Sequence, residues 1–375
     1  MKFVLFYHSL VSDWNHGNAH FLRGVVSELL NRGHRVEVYE PAGGWSLKSL
    51  LAEQGTEAIA AFRHHYPELT SHFYTSESLD LERALDGADV VIVHEWNEPE
   101  LIARVGKHAA TASYRLFFHD THHRSVTEPA SMAALDLRHY DGVLAFGRTI
   151  AERYMQNGWA QFAWIWHEAA DARRFHPLPG VAKQGDLVWI GNWGDDERTA
   201  ELQEFLIDPV KDLGLKARIH GVRYPESAKA ALREAGIDYA GWIANYRAPE
   251  VFAEYRCTVH VPRRAYADTL IGIPTIRMFE ALACGIPLVS APWHDAEKLF
   301  TPGEDYLVAR DGIEMRQHLR DLVADEDLAQ SLAARGLKTI LQRHTCKHRV
   351  DELLQILTGL NRGSREIERL HASGG

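Results

Sequence analysis

Short hydrophobic runs alternate with amphipathic stretches along most of the chain. Residues 90–93 (Val-Val-Ile-Val) are apolar without alternation, which is typical of a parallel strand covered by helices on both faces. Residues 19–31 carry apolar side chains at helical spacing and are followed by Gly33, a residue suited to the end of a helix. Repeated strand and helix units of this kind predict a parallel sheet.

Two sets of strands are predicted, separated by a segment in which the pattern breaks. The first set is 3–7, 36–40, 90–94, 116–119, 143–146 and 162–166; the second is 186–190, 217–220, 239–243, 258–261, 288–290 and 306–308. Residues 171–185 between them contain two prolines and two glycines. We therefore predict an α/β fold of two tandem Rossmann-like domains, residues 1–175 and 176–345, facing a central cleft with one substrate on each wall.

Length and composition narrow the classes of function. A chain of 375 residues exceeds what one core usually serves, and 46% hydrophobic with 25% charged residues is typical of a soluble globular protein. The net charge of −10 argues against a nucleic-acid partner. The chain enters a strand at once, and no apolar run approaches the roughly 20 residues that span a bilayer, so a cytoplasmic protein is expected. Peripheral membrane contact stays open.

Metal and disulfide chemistry are not expected. The three cysteines are far apart in sequence, which favours buried reduced thiols over a disulfide framework or a zinc site. No cluster of carboxylates has an interpretable metal-ligand spacing.

The long loop after the first strand is a candidate for the active site, because open α/β sheets bind ligands at the carboxyl ends of strands. Gly17 permits a close backbone approach, and Asn18 and Arg23 offer donors for an acceptor or a phosphate. His20 could remove a proton from an acceptor hydroxyl. The alternative is that Asn18 only caps the helix and that His20 is a partly buried polar residue.

A second polar group follows the strand that ends near residue 119. His119 and Asp120 are adjacent at the same predicted sheet edge and could perform acid–base chemistry. A metal site is the weaker interpretation of these residues.

In the second domain, polar residues follow several strand ends. Arginine suits a diphosphate because its planar fork donates two hydrogen bonds at once. The candidates are Gly191, Asn192, Arg198, Arg223, Arg263 and Arg264. Any one of these arginines could instead be a solvated surface residue. Tyr246 lies in an aromatic turn that could receive a nucleobase.

Residues 272–290 predict a helix that runs into a strand. Pro274 suits the first helical turn, and Gly285 suits the left-handed position after the helix. Free N–H groups near Thr275 favour an anion, and Arg277 is a further candidate for binding the donor. Glu280, at the rim of the helix, could accept hydrogen bonds from ribose hydroxyls. The alternative is an ordinary amphipathic helix on which Arg277 and Glu280 form a surface pair.

Several of these motifs resemble those of a known enzyme group. Residues 15–24 with 32–34, residues 191–193, residues 221–225 and above all residues 274–287 are similar to glycosyltransferases of the GT-B fold. Within that group they resemble the CgeB-like, spore-maturation-type branch with a glycosyl transferase group 1 C-terminal domain.

The resemblance implies transfer of a sugar from a nucleoside diphosphate sugar, bound by residues 176–345, to an unidentified acceptor bound by residues 1–175, without a metal or another cofactor. Glu280 would bind the donor ribose, and Arg198, Arg263 and Thr275 would hold phosphates. Residues 346–360 would form a helix that returns to the first domain. The glycine, serine and mixed charge of residues 361–375 predict a flexible tail or a short charged helix. Gly272 stands where the related motif has a carboxylate that contacts the donor sugar, so neither the sugar nor the stereochemistry carries over.

Two other functions remain open from the sequence. A nucleotide-sugar epimerase or hydrolase could use the same pair of domains. A nucleotide-sugar-binding protein without turnover would explain the absence of a definite catalytic pair.

Overall fold

The computed structural model describes the backbone of residues 1–372 and the side chains of residues 1–360. It contains two parallel sheets with helices on their faces. The strand order is β3-β2-β1-β4-β5-β6-β7 in the first sheet and β10-β9-β8-β11-β12-β13 in the second. The first sheet consists of β1 (Lys2–Phe6), β2 (Arg35–Pro41), β3 (Ser71–Tyr74), β4 (Val90–His94), β5 (Arg115–Asp120), β6 (Gly142–Ala145) and β7 (Ala163–Ile165). The second consists of β8 (Gly185–Ile190), β9 (Ala217–His220), β10 (Asp238–Gly241), β11 (Tyr255–His260), β12 (Leu288–Ser290) and β13 (Leu307–Val308).

The helices connect these strands. Those of the first domain are α1 (Ala19–Asn31), α2 (Trp45–Gln54), α3 (Glu57–His65), α4 (Leu81–Leu85), α5 (Pro99–Ala109), α6 (Arg124–Thr127), α7 (Pro129–Ala133) and α8 (Arg148–Gln156). They are followed by α9 (Thr199–Leu202), α10 (Asp208–Leu213), α11 (Glu226–Glu234), α12 (Ala248–Ala253), α13 (Ile276–Ala283), α14 (Gly312–Ala324), α15 (Glu326–Arg343) and α16 (Cys346–Ala372).

The predicted α/β fold with two parallel-sheet domains is confirmed. The sequence pattern missed β3, which pairs with β2 at the edge of the first sheet. Its residues are intermediate or exposed, with Phe73 41% exposed, so it lacks the apolar run that marked the interior strands. The helix predicted near Pro274 begins later, at Ile276, with Thr275 as its N-cap residue. Gly285 follows the helix with φ of +65°, the left-handed conformation expected there.

The two domains contact each other on both sides of the space between the sheets. On one side the Asp13 carboxylate accepts hydrogen bonds from the Asn245 backbone N–H (3.0 Å) and the Trp242 Nε1–H (3.2 Å). On the other, Glu297 accepts a hydrogen bond from the Arg148 N–H (2.8 Å), and its second oxygen lies 2.9 Å from His167 Nε2. These contacts hold the sheet edges face to face.

The last helix, α16, packs against the first domain. Arg32 donates to Asp351 at 2.6 Å, and Trp166 Nε1–H donates to the Arg349 carbonyl at 2.8 Å. The tail predicted for 361–375 falls on the final turns of α16 and on residues 373–375, which lie outside the described residues.

Gly24 of α1 lies against Cys346 at the start of α16, and this contact gives a stability prediction. A Cβ at Gly24 would lie 2.4 Å from Cys346 Sγ and 2.9 Å from the Asp171 Cβ. We expect Gly24→Ala to lower the free energy of unfolding by about 1–3 kcal/mol through overpacking, measured by urea denaturation. Gly359→Ala is the control, because a Cβ there meets nothing within 4 Å. Equal urea midpoints for the two variants would contradict this account of the helix contact.

Candidate active site

A cavity of about 460 Å³ lies between the two domains, at the carboxyl ends of the strands. Both sheets have a topological switch point there, because successive connections from the central strands run in opposite directions. The first-domain wall is formed by Asn15, His16, Gly17, Asn18, Trp45, Trp96, Thr121, His122, Phe146 and Glu168. The second-domain wall is formed by Trp189, Ile190, Gly191, Asn192, Arg198, Arg223, His260, Val261, Arg263, Tyr266, Thr275, Ile276 and Arg277.

Arg198 follows β8 and is only 9% exposed. Its guanidinium donates to three backbone carbonyls, those of Asn192 (2.5 Å), Val261 (2.8 Å) and Trp193 (3.3 Å). No carboxylate of the described residues forms an ion pair with it. Burial is the larger cause, and the nearby charge of Arg263 the second, that lowers the pKa of Arg198 to about 10. A buried cation without a carboxylate partner favours an anionic ligand.

Three further arginines of the second domain line the same cavity, and each has a carboxylate partner. Arg263 follows β11 and donates to Glu197 at 2.8 Å, and Arg223 donates to Asp195 at 2.9 Å. Arg277 donates to Glu280. All four arginines therefore lie on one wall, where a diphosphate could bridge several of them.

The N-terminus of α13 is held at this wall by a hydrogen-bonded chain of side chains. The Ser290 hydroxyl donates to the Ala291 carbonyl at 2.7 Å, so it accepts from His260 Nδ1–H at 2.9 Å. His260 Nε2 is then left to accept from the Thr275 hydroxyl at 3.2 Å. Burial lowers the pKa of His260 to about 3, so the ring stays neutral. This chain fixes the cap residue that faces the cavity.

Glu280 does not sit at the rim, contrary to the sequence prediction. It is fully buried, and its carboxylate accepts from Asn245 Nδ2–H at 2.6 Å and from Arg277. Its contact with a ribose therefore stays a prediction, since Arg277 lines the cavity and Glu280 does not. In this structure Glu280 positions the side chains of Asn245 and Arg277.

His20 is not placed as a proton acceptor for a substrate. The Asp171 backbone N–H donates to His20 Nε2 at 2.9 Å, and Nδ1 lies 3.5 Å from Glu280. The ring is 2% exposed, and burial lowers its pKa to about 3. Both nitrogens are thus used to join the end of the first domain to α13, which corrects the role predicted for this residue. Arg23 is likewise structural, because it is buried and donates to the Leu10 and Val11 carbonyls and to Asp13.

His119 and Asp120 lie inside the first domain and do not line the cavity. The Tyr7 hydroxyl lies 2.5 Å from His119 Nδ1, and the His119 ring is fully buried. Asp120 accepts from the Tyr154 hydroxyl at 2.8 Å and from the His122 N–H at 3.0 Å. These bonds position the loop after β5, so the predicted catalytic role is corrected to a positioning role.

Two predicted donor-binding residues also lie away from the cleft. Tyr246 stacks on His65 at a ring distance of 4.2 Å and lines a separate groove. Arg264 is exposed and pairs with Glu201 at 2.6 Å. The predicted residues that do meet in the cleft are Gly17, Asn18, Gly191, Asn192, Arg198, Arg223, Arg263, Thr275 and Arg277.

Glu168 is the cleft carboxyl that the sequence analysis missed. It follows β7 on the first-domain wall, is 5% exposed, and accepts a hydrogen bond from Asn18 Nδ2–H at 2.8 Å through Oε1. Burial raises its pKa to about 8. The rule that ligands bind at the carboxyl ends of parallel strands would have identified it, since β7 was predicted.

Gly272 stands where the related motif has a carboxylate, and the structure gives a steric reason for the glycine. Gly272 has φ of +93°, and a Cβ there would lie 2.9 Å from Glu297 Cγ. Glu297 is occupied by the contacts with Arg148 and His167 that join the domains. A side chain at position 272 would displace this contact.

Two searches of the described residues complete the description of the site. Across those residues, no group of three or more His, Cys, Asp or Glu side chains is placed to hold a metal ion. In the same part of the chain, no helix has both the length and the apolar content needed to cross a bilayer.

Comparisons with known proteins identify the second domain and the fold. Residues 198–355 match the family model described as glycosyl transferase-like. A search of curated proteins found no match. Among solved structures, the chain is similar to Anabaena Alr3699/HepE in complex with UDP-glucose, with 14% identity, a TM-score of 0.67 and coverage of 96% of this chain and 100% of that one.

Two other solved structures share the fold. A glycosyltransferase from Rickettsia africae is 11% identical with a TM-score of 0.65, covering 95% of this chain and 97% of that one. A sucrose-phosphate synthase from Thermosynechococcus elongatus is 12% identical with a TM-score of 0.64, covering 97% and 100%. The chain therefore has the two-domain GT-B fold, and its second domain matches the glycosyl transferase-like family.

Proposed function

We propose that this chain is a glycosyltransferase that moves a sugar from a nucleoside diphosphate sugar to an acceptor hydroxyl. The observation that carries the proposal is the second-domain wall. There, buried Arg198 has no carboxylate partner among the side chains of residues 1–360, and three more arginines face the same cavity. The match of residues 198–355 to a glycosyl transferase-like family supports it. The closer relationship to the CgeB-like branch rests on the sequence motifs and is part of the proposal.

The arginines supply the main electrostatic contribution to catalysis in this proposal. Negative charge develops on the diphosphate as its bond to the anomeric carbon breaks, and fixed donors in a closed cleft stabilise that charge. Arg198 is already oriented by three carbonyls, so little reorganisation is needed. We propose that no metal and no further cofactor takes part, the nucleotide sugar being a co-substrate.

Glu168 is the proposed proton acceptor. The acceptor oxygen forms a bond to the anomeric carbon, the bond from that carbon to the diphosphate oxygen breaks, and the hydroxyl proton passes to the Glu168 carboxylate. Asn18 orients Oε1, and Oε2 accepts no hydrogen bond from the described residues. Burial raises the pKa of Glu168 to about 8, so the carboxylate form, which accepts the proton, predominates above that pH.

Adjacent arginines provide a matched test of donor binding. Arg263 lines the cavity, whereas Arg264 does not and is paired with Glu201 on the surface. We expect Arg263→Gln to weaken binding of UDP by about 10- to 100-fold, because a charged hydrogen bond contributes about 1.5–3 kcal/mol. Arg264→Gln removes the same charge and should leave the affinity within about twofold. Calorimetric titration measures both.

The two variants also separate local from general electrostatics. Equal weakening by Arg263→Gln and Arg264→Gln would mean that only the overall field of the domain matters, and would remove the support for a diphosphate in this cleft. Binding of uncharged uridine should be the same in both variants, since it lacks the phosphates.

A further inference from the structure

The two walls of the cleft differ in charge. All four arginines lie on the second-domain wall, and the described first-domain wall contains no lysine or arginine. Two arginines of the first domain lie near this wall without lining it: Arg124 lies 4.9 Å over the Trp96 ring and donates to Glu128, and buried Arg23 pairs with Asp13. A ligand on the first-domain wall would therefore meet no free positive charge.

The titratable groups of that wall are held in uncharged forms at neutral pH. Burial lowers the pKa of both His16 and His122 well below the usual value for histidine. Neighbouring histidines and arginines lower the pKa of each ring further. Burial raises the pKa of Glu168 to about 8. His16 Nε2 and His122 Nδ1 are themselves buried and have no hydrogen-bond partner within the described part of the chain. The polar side chains of this wall that are only half-buried are those of Asn15 and His122, and both are uncharged.

Two indoles complete this wall. Trp45, 38% exposed, stacks on His8 at 4.5 Å, and its ring lies 6.4 Å from that of Trp96 in an edge arrangement. Trp96 in turn contacts His122 at 5.1 Å. The aromatic faces are thus held by neighbours before any ligand arrives, which limits the entropy lost on binding.

We infer that the acceptor bound at the first-domain wall is an uncharged saccharide. A sugar ring presents apolar C–H faces that can pack on the indoles of Trp45 and Trp96, and hydroxyls that the half-buried side chains of Asn15 and His122 can bind. A phosphorylated acceptor or a nucleic acid would need cations that this wall lacks. The inference rests on the proposed function, because it assumes that the donor occupies the opposite wall.

The test uses the full chain and compares neutral acceptors with anionic ones. Release of nucleoside diphosphate from UDP-glucose, and from other nucleotide sugars if that donor is not used, is measured with methyl glucoside and cellobiose as neutral acceptors. Glucose 6-phosphate, glucuronate and a short oligonucleotide are the anionic acceptors. We expect a neutral saccharide to be used with a kcat/KM at least about tenfold higher than its charged counterpart.

Variants then locate the acceptor. Trp96→Ala should raise the KM for the neutral saccharide about tenfold, equivalent to about 1.4 kcal/mol, with no change in the dissociation constant of UDP. Phe73→Ala, which removes an aromatic side chain exposed on β3, is the control. Trp96→Phe keeps an aromatic face and should keep most of the affinity for the neutral saccharide. It therefore tests the role of Trp96 even if the alanine variant folds poorly.

The outcomes distinguish the inference from the proposed function. If neither UDP nor any other nucleoside diphosphate binds the wild-type chain, the proposed function itself fails. If UDP binds but a charged acceptor is preferred, no neutral saccharide is used, or the KM is the same in Trp96→Ala and Phe73→Ala, the acceptor inference is overturned while the donor site stands.

Discussion

Replacing Glu168 by Gln is expected to lower kcat by about 10²- to 10⁴-fold, the range that loss of a positioned general base usually gives. Glutamine keeps the shape and the hydrogen bond from Asn18 but cannot take a proton. The KM for the donor should change little, because the diphosphate contacts lie on the other wall. Steady-state kinetics with the donor and an acceptor measure both constants.

The pH dependence makes this expectation specific. The base must be ionised, so kcat/KM should rise with pH and level off above about 8, the pKa of Glu168. That rise should disappear in Glu168→Gln. Glu82→Gln, a change at a carboxylate with 89% side-chain exposure, is the control and should keep the wild-type profile. A Glu168→Gln variant with normal kcat would exclude Glu168 as the base.

Ionisation of Glu168 as pH rises should increase the activity but lower the stability of the fold. The pKa of Glu168 is higher in the fold than its ordinary value, so the folded state binds the proton more tightly. The stability that the protonated form contributes is present at low pH and is lost as pH rises through about 8. Glu168→Gln should therefore melt at a higher temperature than the wild type at pH 8.5 and near the wild type at pH 4.

The second large effect is expected at Arg198. Arg198→Gln should lower kcat by about 10²- to 10³-fold, the usual loss when one donor to developing negative charge is removed. Arg198 also holds the carbonyls of Asn192 and Val261, so part of any effect could come from a disordered loop. Arg198→Lys keeps a charge without the planar fork, and should recover part of the activity if charge is what matters.

Uncharged uridine provides the structural control for Arg198. It should bind equally well to wild type, Arg198→Gln and Arg198→Lys if the pocket is intact, whereas UDP should bind in the order wild type, lysine variant, glutamine variant. Wild-type kcat in Arg198→Gln would contradict the proposed role of the arginine.

The periodicity of the sequence was enough to predict the fold because both sheets are parallel and their central strands are buried. Val90–His94, for example, is entirely buried and apolar except at its end. β3 was missed because it is an exposed edge strand whose residues serve pairing more than burial. Periodicity reports burial, so it is weakest at sheet edges.

The candidate site was only partly predictable, because the sequence does not show in which direction a side chain points. Strand ends and glycines located Gly17, Gly191, Arg198 and Arg263 correctly at the cleft edge. They could not indicate that His20 turns inward to Glu280, because residue type gives no orientation. Glu168 was overlooked because no acidic partner or motif accompanies it in the sequence. The cytoplasmic location and the peripheral membrane contact stay predictions.

Product analysis with a nucleotide sugar and a neutral saccharide tests the central claim most directly. Mass spectrometry of the complete reaction should show the saccharide with one added sugar residue, formed in equal amount to the nucleoside diphosphate released. Nucleoside diphosphate released at the same rate without the saccharide would instead indicate a hydrolase, and an isomerised nucleotide sugar an epimerase. Donor that binds and is recovered unchanged would indicate a binding protein and contradict sugar transfer.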